Sequence, residues 1–145
     1  MRLAEALQLP FLDADDFHSA SNKQKMANGV PLDDADRLPW LEKLAGHLSV
    51  QEKAAGAVMA CSALKESYRQ VLGSQCAAGI KWIVLDGSKA LLTDRLASRT
   101  GHFFDPALLE SQLQTLEFPD YGWRISIDAS PEDIVNAILE RLRNE

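Results

Sequence analysis

Ile80-Lys-Trp-Ile-Val-Leu85, followed by Asp86-Gly87-Ser88 and a helical pattern to about Ser98, is the stretch that decides the fold. A short apolar run closed by an Asp-Gly turn and an N-capping serine reads as a strand feeding a helix. The unit recurs on either side. Leu9-Pro-Phe-Leu12 reads as a strand ended by Asp13-Ala-Asp-Asp16, Ala57 to Cys61 as a second, and Trp123-Arg-Ile-Ser-Ile127 as one ended by Asp128. Between them lie helical patterns: Leu38, Leu41, Leu44 and Leu48 from near Asp36, with Pro39 in the first turn; Leu108, Leu109, Leu113 and Leu116 after Asp105-Pro106; and Ile134, Val135, Ile138, Leu139 and Leu142 after Ser130-Pro131. Met1 to Leu7 reads as the tail of an amphipathic helix, too short to stand alone. Alternation of this kind predicts a doubly wound α/β domain with a parallel sheet.

The 145 residues, 46% of them apolar, suit one domain, and no repeat or linker divides them. No apolar run approaches the ~18 residues of a membrane span, and no signal-peptide pattern opens the chain. With 15 basic and 21 acidic side chains the net charge is −6, which argues against non-specific binding to nucleic acid or anionic membranes. Cys61 and Cys76 give neither metal spacing nor a disulfide framework. Cys61, in an apolar run, reads as a reduced buried thiol, and a cytoplasmic location is the expectation.

In open parallel sheets ligands bind beyond the carboxyl ends of the strands. There the sequence places Asp13, Asp15, Asp16 and His18; Ser62 and Lys65; Asp86; and Asp128. Asp13 and Asp15, on one side of an extended segment, could hold Mg²⁺ through water and accept a hydroxyl proton, or the acidic run could only cap the next helix. Arg95 and Arg99, four apart before Thr100-Gly101-His102-Phe103-Phe104, suit a mobile phosphate clamp or a solvated helix face beside Asp94. Lys65 and Arg69 repeat that spacing, with Glu66 available for local pairing. His47 reads as a surface or satisfied histidine, and Trp82 and Trp123 as core.

Taken together, Leu12-Asp-Ala-Asp-Asp-Phe-His18, Asn22 to Met26, Gly29-Val-Pro-Leu-Asp33, Asp36-Arg-Leu-Pro-Trp-Leu41, Cys61-Ser-Ala-Leu-Lys65 with Tyr68-Arg69, Arg95-Leu96 with Arg99-x-Gly-His-Phe-Phe104, and Ser111-Gln112 with Thr115-Leu-Glu117 resemble the gluconate kinases. These are ATP-dependent sugar-acid kinases of the P-loop superfamily. The resemblance implies a three-layer P-loop kinase-like parallel sheet, a single domain over residues 1–145, and a lid segment around residues 99–116. It implies phosphorylation of D-gluconate to 6-phosphogluconate with ATP and Mg²⁺, and a possible homodimer. Asp15 would orient or deprotonate the 6-hydroxyl, and Asp13 would hold Mg²⁺ through water. His18, Arg37, Lys65, Arg69 and His102 would bind the substrate, with Arg37 on its carboxylate. Arg99 would stabilise the transferring phosphoryl group, while Arg95, Gly101 and Asp128 would line the nucleotide side.

The family's phosphate-binding loop, G-x-x-x-x-G-K-[ST], is absent from these residues, and no Gly-Lys pair occurs. The resemblance implies that this loop and its strand would precede Met1, the strand lying centrally between Ala57–Cys61 and Ile80–Leu85. Without it the sheet would leave a gap, pair those strands directly, or borrow a strand. The expectation is a marginally stable chain, nearly inactive as a kinase. Alternatives are a non-catalytic sugar-acid-binding remnant or regulator, and a related kinase such as shikimate kinase.

Overall fold

The computed structural model describes residues 1–99 and 106–145, Pro106 by its backbone only. The elements run α1 (Arg2–Leu7), β1 (Phe11–Asp13), a 3-10 turn (Ala14–Phe17), α2 (Ala20–Ala27), α3 (Asp34–Ala54), β2 (Val58–Ala60), α4 (Glu66–Gly73), β3 (Ile83–Asp86), α5 (Lys89–Ala97), α6 (Pro106–Thr115), β4 (Trp123–Ser126) and α7 (Pro131–Arg143). The α/β alternation is as expected, each strand one or two residues shorter than its apolar run.

The strands form two parallel pairs. β1 lies beside β2 with Phe11 opposite Val58, and β3 lies beside β4 with Ile83 opposite Trp123. β2 and β3 share no ladder. Of the arrangements expected for this place, direct pairing of these two strands is not found. An unpaired parallel edge leaves N–H and C=O groups without strand partners.

Side-chain oxygens start the helices where the sequence placed them. Ser88 Oγ accepts from Leu91 N and Ser130 Oγ from Asp133 N, each at 3.1 Å. α3 departs from expectation. Asp33 accepts from the Asp36 N–H at 2.7 Å while the Asp36 carboxylate accepts from the Asp33 N–H at 3.1 Å, a capping box that starts the helix two residues earlier than read. Pro39 therefore falls in the second turn, where it offers no N–H to the turn before it. Leu38 is 46% exposed, off the apolar stripe where it was expected.

The main core is a cluster of Ala14, Trp40, Leu41, Leu44, Leu64, Tyr68 and Leu72 between the β1–β2 side, α3 and α4. Its members come from segments far apart in sequence, so packing holds the loops after β1 and β2 beside each other. Trp40 fastens the first of them by donating from Nε1 to the Ala14 carbonyl at 2.7 Å. Cys61, expected to be buried, is a free, half-buried thiol packed against this cluster, and desolvation is the main cause that pushes its pKa up to about 12. Trp123 is buried; Trp82, just before β3, only packs against the cluster's margin.

Candidate active site

β1 ends at Asp13, whose carboxylate accepts from the Asp15 N–H at 3.0 Å and so starts the 3-10 turn. The two carboxylates therefore do not share one face of an extended strand, because the strand stops between them. Asp13 is committed at one oxygen. As a single carboxylate it fits a Mg²⁺ ion that keeps most of its waters, and no group of three or more acidic, histidine or cysteine side chains among the described residues makes a protein cage. Asp15, on the turn, faces a recess that His18, Arg37, Trp40, Ser62, Ser111 and Gln112 also line.

His18 is the most constrained of these. Its ring stacks on Trp40 with centroids 4.0 Å apart and planes 16° from parallel. Nδ1 meets Asn22 Nδ2 at 3.3 Å, and Nε2 lies 3.8 Å from Asp15 Oδ1. Burial, then the charges of Arg37 and Lys23, lower its pKa to about 4, so the ring is neutral at pH 7. A neutral ring can donate to or accept from a hydroxyl.

Arg37, from the first turns of α3, donates from Nη1 to the Tyr68 hydroxyl at 3.0 Å. Tyr68 in turn donates to Asp34 Oδ1, and Lys65 Nζ reaches the same oxygen at 3.1 Å. These donors hold the Asp34 carboxyl below its usual range, the Tyr68 hydroxyl first. Arg37 and Lys65 border a second, wider opening with Asp33, Asp34, Ser111 and Thr115. Arg37 lines both openings, so a guanidinium stands beside Asp15 and His18 with the Tyr68 hydroxyl and Lys65 on its other side, an arrangement that can receive an anion rich in hydroxyls.

Arg69 is placed elsewhere. Buried at 4% exposure, it gives Nη1 to the carbonyls of Ala63 (2.7 Å) and Leu64 (3.5 Å) and Nη2 to the carbonyl of Glu117 (2.7 Å). Nη2 also reaches Glu66 Oε2 at 3.1 Å, and Nε lies 3.0 Å from the Tyr121 hydroxyl. Every N–H direction of the guanidinium meets a protein oxygen, so the side chain ties loops together and keeps no N–H for the substrate contact expected of it. Lys65 and Arg69 do not share a helix face because Lys65 is the N-cap of α4, outside the helix.

On the other strand pair, Arg95 donates from Nη2 to the carbonyls of Ile127 and Ala129, both at 3.0 Å, and shapes the loop holding Asp128. Asp128 is exposed, its N–H on Ser126 Oγ at 3.1 Å. Arg99 is exposed beyond the end of α5, so the helical pairing read for Arg95 and Arg99 does not form. Gly101 and His102 lie outside the described residues. The sequence reading assigned no role to Asn22, Trp40, Asp34, Tyr68, Ser111 or Gln112. All but Asp34 stand in the quoted family strings, and Asn22 carries one more signal: it follows His18 by four residues.

No family model matches this chain. A gluconokinase from Arabidopsis thaliana is 40% identical to it over 157 aligned residues, covering 98% of this chain and 83% of that protein. The crystal structure of a gluconokinase from Sinorhizobium meliloti 1021 superposes with a TM-score of 0.84 at 37% identity, over 97% of this chain and 82% of the other. A sugar kinase from Janibacter sp. HTCC2649 gives 0.87 at 36%, over 97% and 83%. With identity at this level spread over nearly its whole length, and the same fold, the chain belongs to the gluconokinase family.

Proposed function

We propose that these residues bind D-gluconate in the recess of Asp15, His18 and Arg37 and serve its phosphorylation at the 6-hydroxyl. The observation that carries the reading is the convergence of a carboxylate, a neutral imidazole and a guanidinium in one recess. Arg37 takes the sugar-acid carboxylate through its fork, with Lys65 beside it. Asp15 accepts the proton of the attacking hydroxyl and aims its oxygen in line. Asp13 would hold Mg²⁺ through water, and the ion would offset charge on the phosphates of ATP, which would supply the phosphoryl group when bound. Arg99 offsets charge on the transferring group, and the loop from Asp128, fastened by Arg95, lies where adenine would rest. The protein works in the cytoplasm, and a homodimer is compatible with the reading.

A second reading, a sugar-acid binder without turnover, is favoured by one observation: no Gly-Lys pair is present to cradle the β- and γ-phosphates. Calorimetric titration with gluconate, paired with an ATP-coupled assay, tests both. Gluconate is expected to bind, Arg37→Ala to remove binding, and turnover to be weak. Absence of gluconate binding would overturn the proposal, and robust turnover would eliminate the binder.

A further inference from the structure

Asn22 is buried, at 4% exposure, in the first turn of α2. Its Nδ2 lies 2.8 Å from the Asp36 main-chain carbonyl and 3.3 Å from His18 Nδ1. A carbonyl oxygen can only accept, so the amide must turn its NH₂ towards Asp36; the flipped amide would set two acceptors face to face. The same NH₂ then faces His18 Nδ1. An amide NH₂ has no lone pair to offer, so Nδ1 must carry the lone pair and Nε2 the proton. Protonating Nδ1 would set donor against donor.

The anchor is itself held. Ser19 Oγ caps α2 by accepting from the Asn22 N–H at 3.1 Å, and Lys25 grips the Asp36 carboxylate at 2.9 Å. Both ends of the amide bridge are therefore fixed before any ligand arrives. On the far side of the ring, Nε2 and Asp15 Oδ1 are 3.8 Å apart. That is too long for a good hydrogen bond, yet one oxygen atom can sit about 2.8 Å from both.

We propose that Asn22 is a positioning residue that locks His18 as the Nε2–H tautomer, so that a substrate hydroxyl accepts from His18 and donates to Asp15. The hydroxyl rests on the function proposed above; the tautomer does not. With the opposite tautomer, Nε2 and the Asp15 carboxylate would both be acceptors, and a hydroxyl with one hydrogen could satisfy only one. The lock thus sets the direction in which the hydroxyl's hydrogen points, towards the group that is to remove it.

Two-bond ¹H–¹⁵N imidazole spectra of the whole chain at pH 7.5, with His18 assigned by its loss in His18→Gln, read the tautomer directly. The expected spectrum has a protonated Nε2 and an unprotonated Nδ1. Asn22→Asp, which offers an acceptor, is expected to move the proton to Nδ1. Asn22→Ala is expected to give a mixture, and serves if the aspartate variant fails to fold against the Asp36 carbonyl. A wild-type ring protonated at Nδ1, or a folded Asn22→Ala with an unchanged His18 signature, overturns the proposal. Gluconate titration of Asn22→Ala is expected to show about tenfold weaker binding; unchanged affinity refutes the hydroxyl's dependence on the lock. If the wild-type protein takes no gluconate at all, the substrate reading fails, while the spectra still decide the tautomer.

Discussion

The two strand pairs are built to different standards. Around β1 and β2, a continuous buried cluster supports the turn after β1, and the 3-10 turn, α2 and α3 are tied by Asn22, Lys25 and Trp40. Around β3 and β4, α5 buries no residue, α7 buries only Ile138, and Leu85 in β3 stands 53% exposed. The side proposed to take the sugar acid is preorganised by packing, whereas the side read as nucleotide-binding is held mainly by caps, the β3–β4 ladder and the Arg95 contacts. Groups that must aim a proton need a rigid frame. A surface that cradles a nucleotide largely by backbone can borrow order from its ligand.

Paired truncations give the strongest test of this contrast. Leu44→Ala, fully buried in the cluster, is expected to cost about 3–5 kcal/mol, and Leu92→Ala, half-buried on α5, under about 1.5 kcal/mol. Urea unfolding of both variants measures the gap, and equal losses would erase the distinction. Next in size, Arg69→Met leaves the Ala63 and Glu117 carbonyls without their donor and is expected to cost about 2–4 kcal/mol. Arg69→Lys should recover little of this, because one ammonium cannot span the same oxygens.

A smaller effect follows from His18. Its pKa falls from an unfolded value near 6.5 to about 4 in the fold, so the unfolded chain takes up the proton first. Stability is therefore full above pH 6.5 and declines as pH falls towards 4. Over the window from 6.5 to 5 the loss is about 1–2 kcal/mol, from the 1.36 kcal/mol per pH unit of one proton. The groups around the ring are Asp15, Arg37 and Lys23; His18→Gln should flatten the slope in denaturation series across that window. Smallest in stability is Leu85→Lys on the exposed β3 position, expected to stay within about 0.5 kcal/mol. Its larger consequence should be fewer aggregates by light scattering, since charge blunts an open edge.

Much of this frame was legible in the sequence because caps and periodicity are local. Ser88, Ser130 and the apolar runs placed α5, α7 and all four strands to within a few residues. The spacing arguments failed for one shared reason: an element ended between the two residues compared. β1 stops at Asp13, so Asp15 leaves its face; Lys65 caps α4 while Arg69 lies inside it; α5 ends before Arg99. Spacing predicts a shared face only within a continuous element. Arg69 illustrates a second limit. A cation in a family motif looks like a ligand-binding group until tertiary contacts show the carbonyls of Ala63, Leu64 and Glu117 filling its donors. Asn22 stands in a family string yet drew no role for the converse reason, since its effect passes through another side chain's tautomer.

The Arg69 contacts also join residues 48 apart in sequence, through the Glu117 carbonyl. They close a long loop containing β3, α5 and α6. Closure entropy grows only logarithmically with length, so doubling such a span would cost only about 0.6 kcal/mol. Insertions within it are thermodynamically cheap as long as both ends still meet at the guanidinium. The clamp thereby lets one stretch of the chain vary in length without loosening the β1–β2 side.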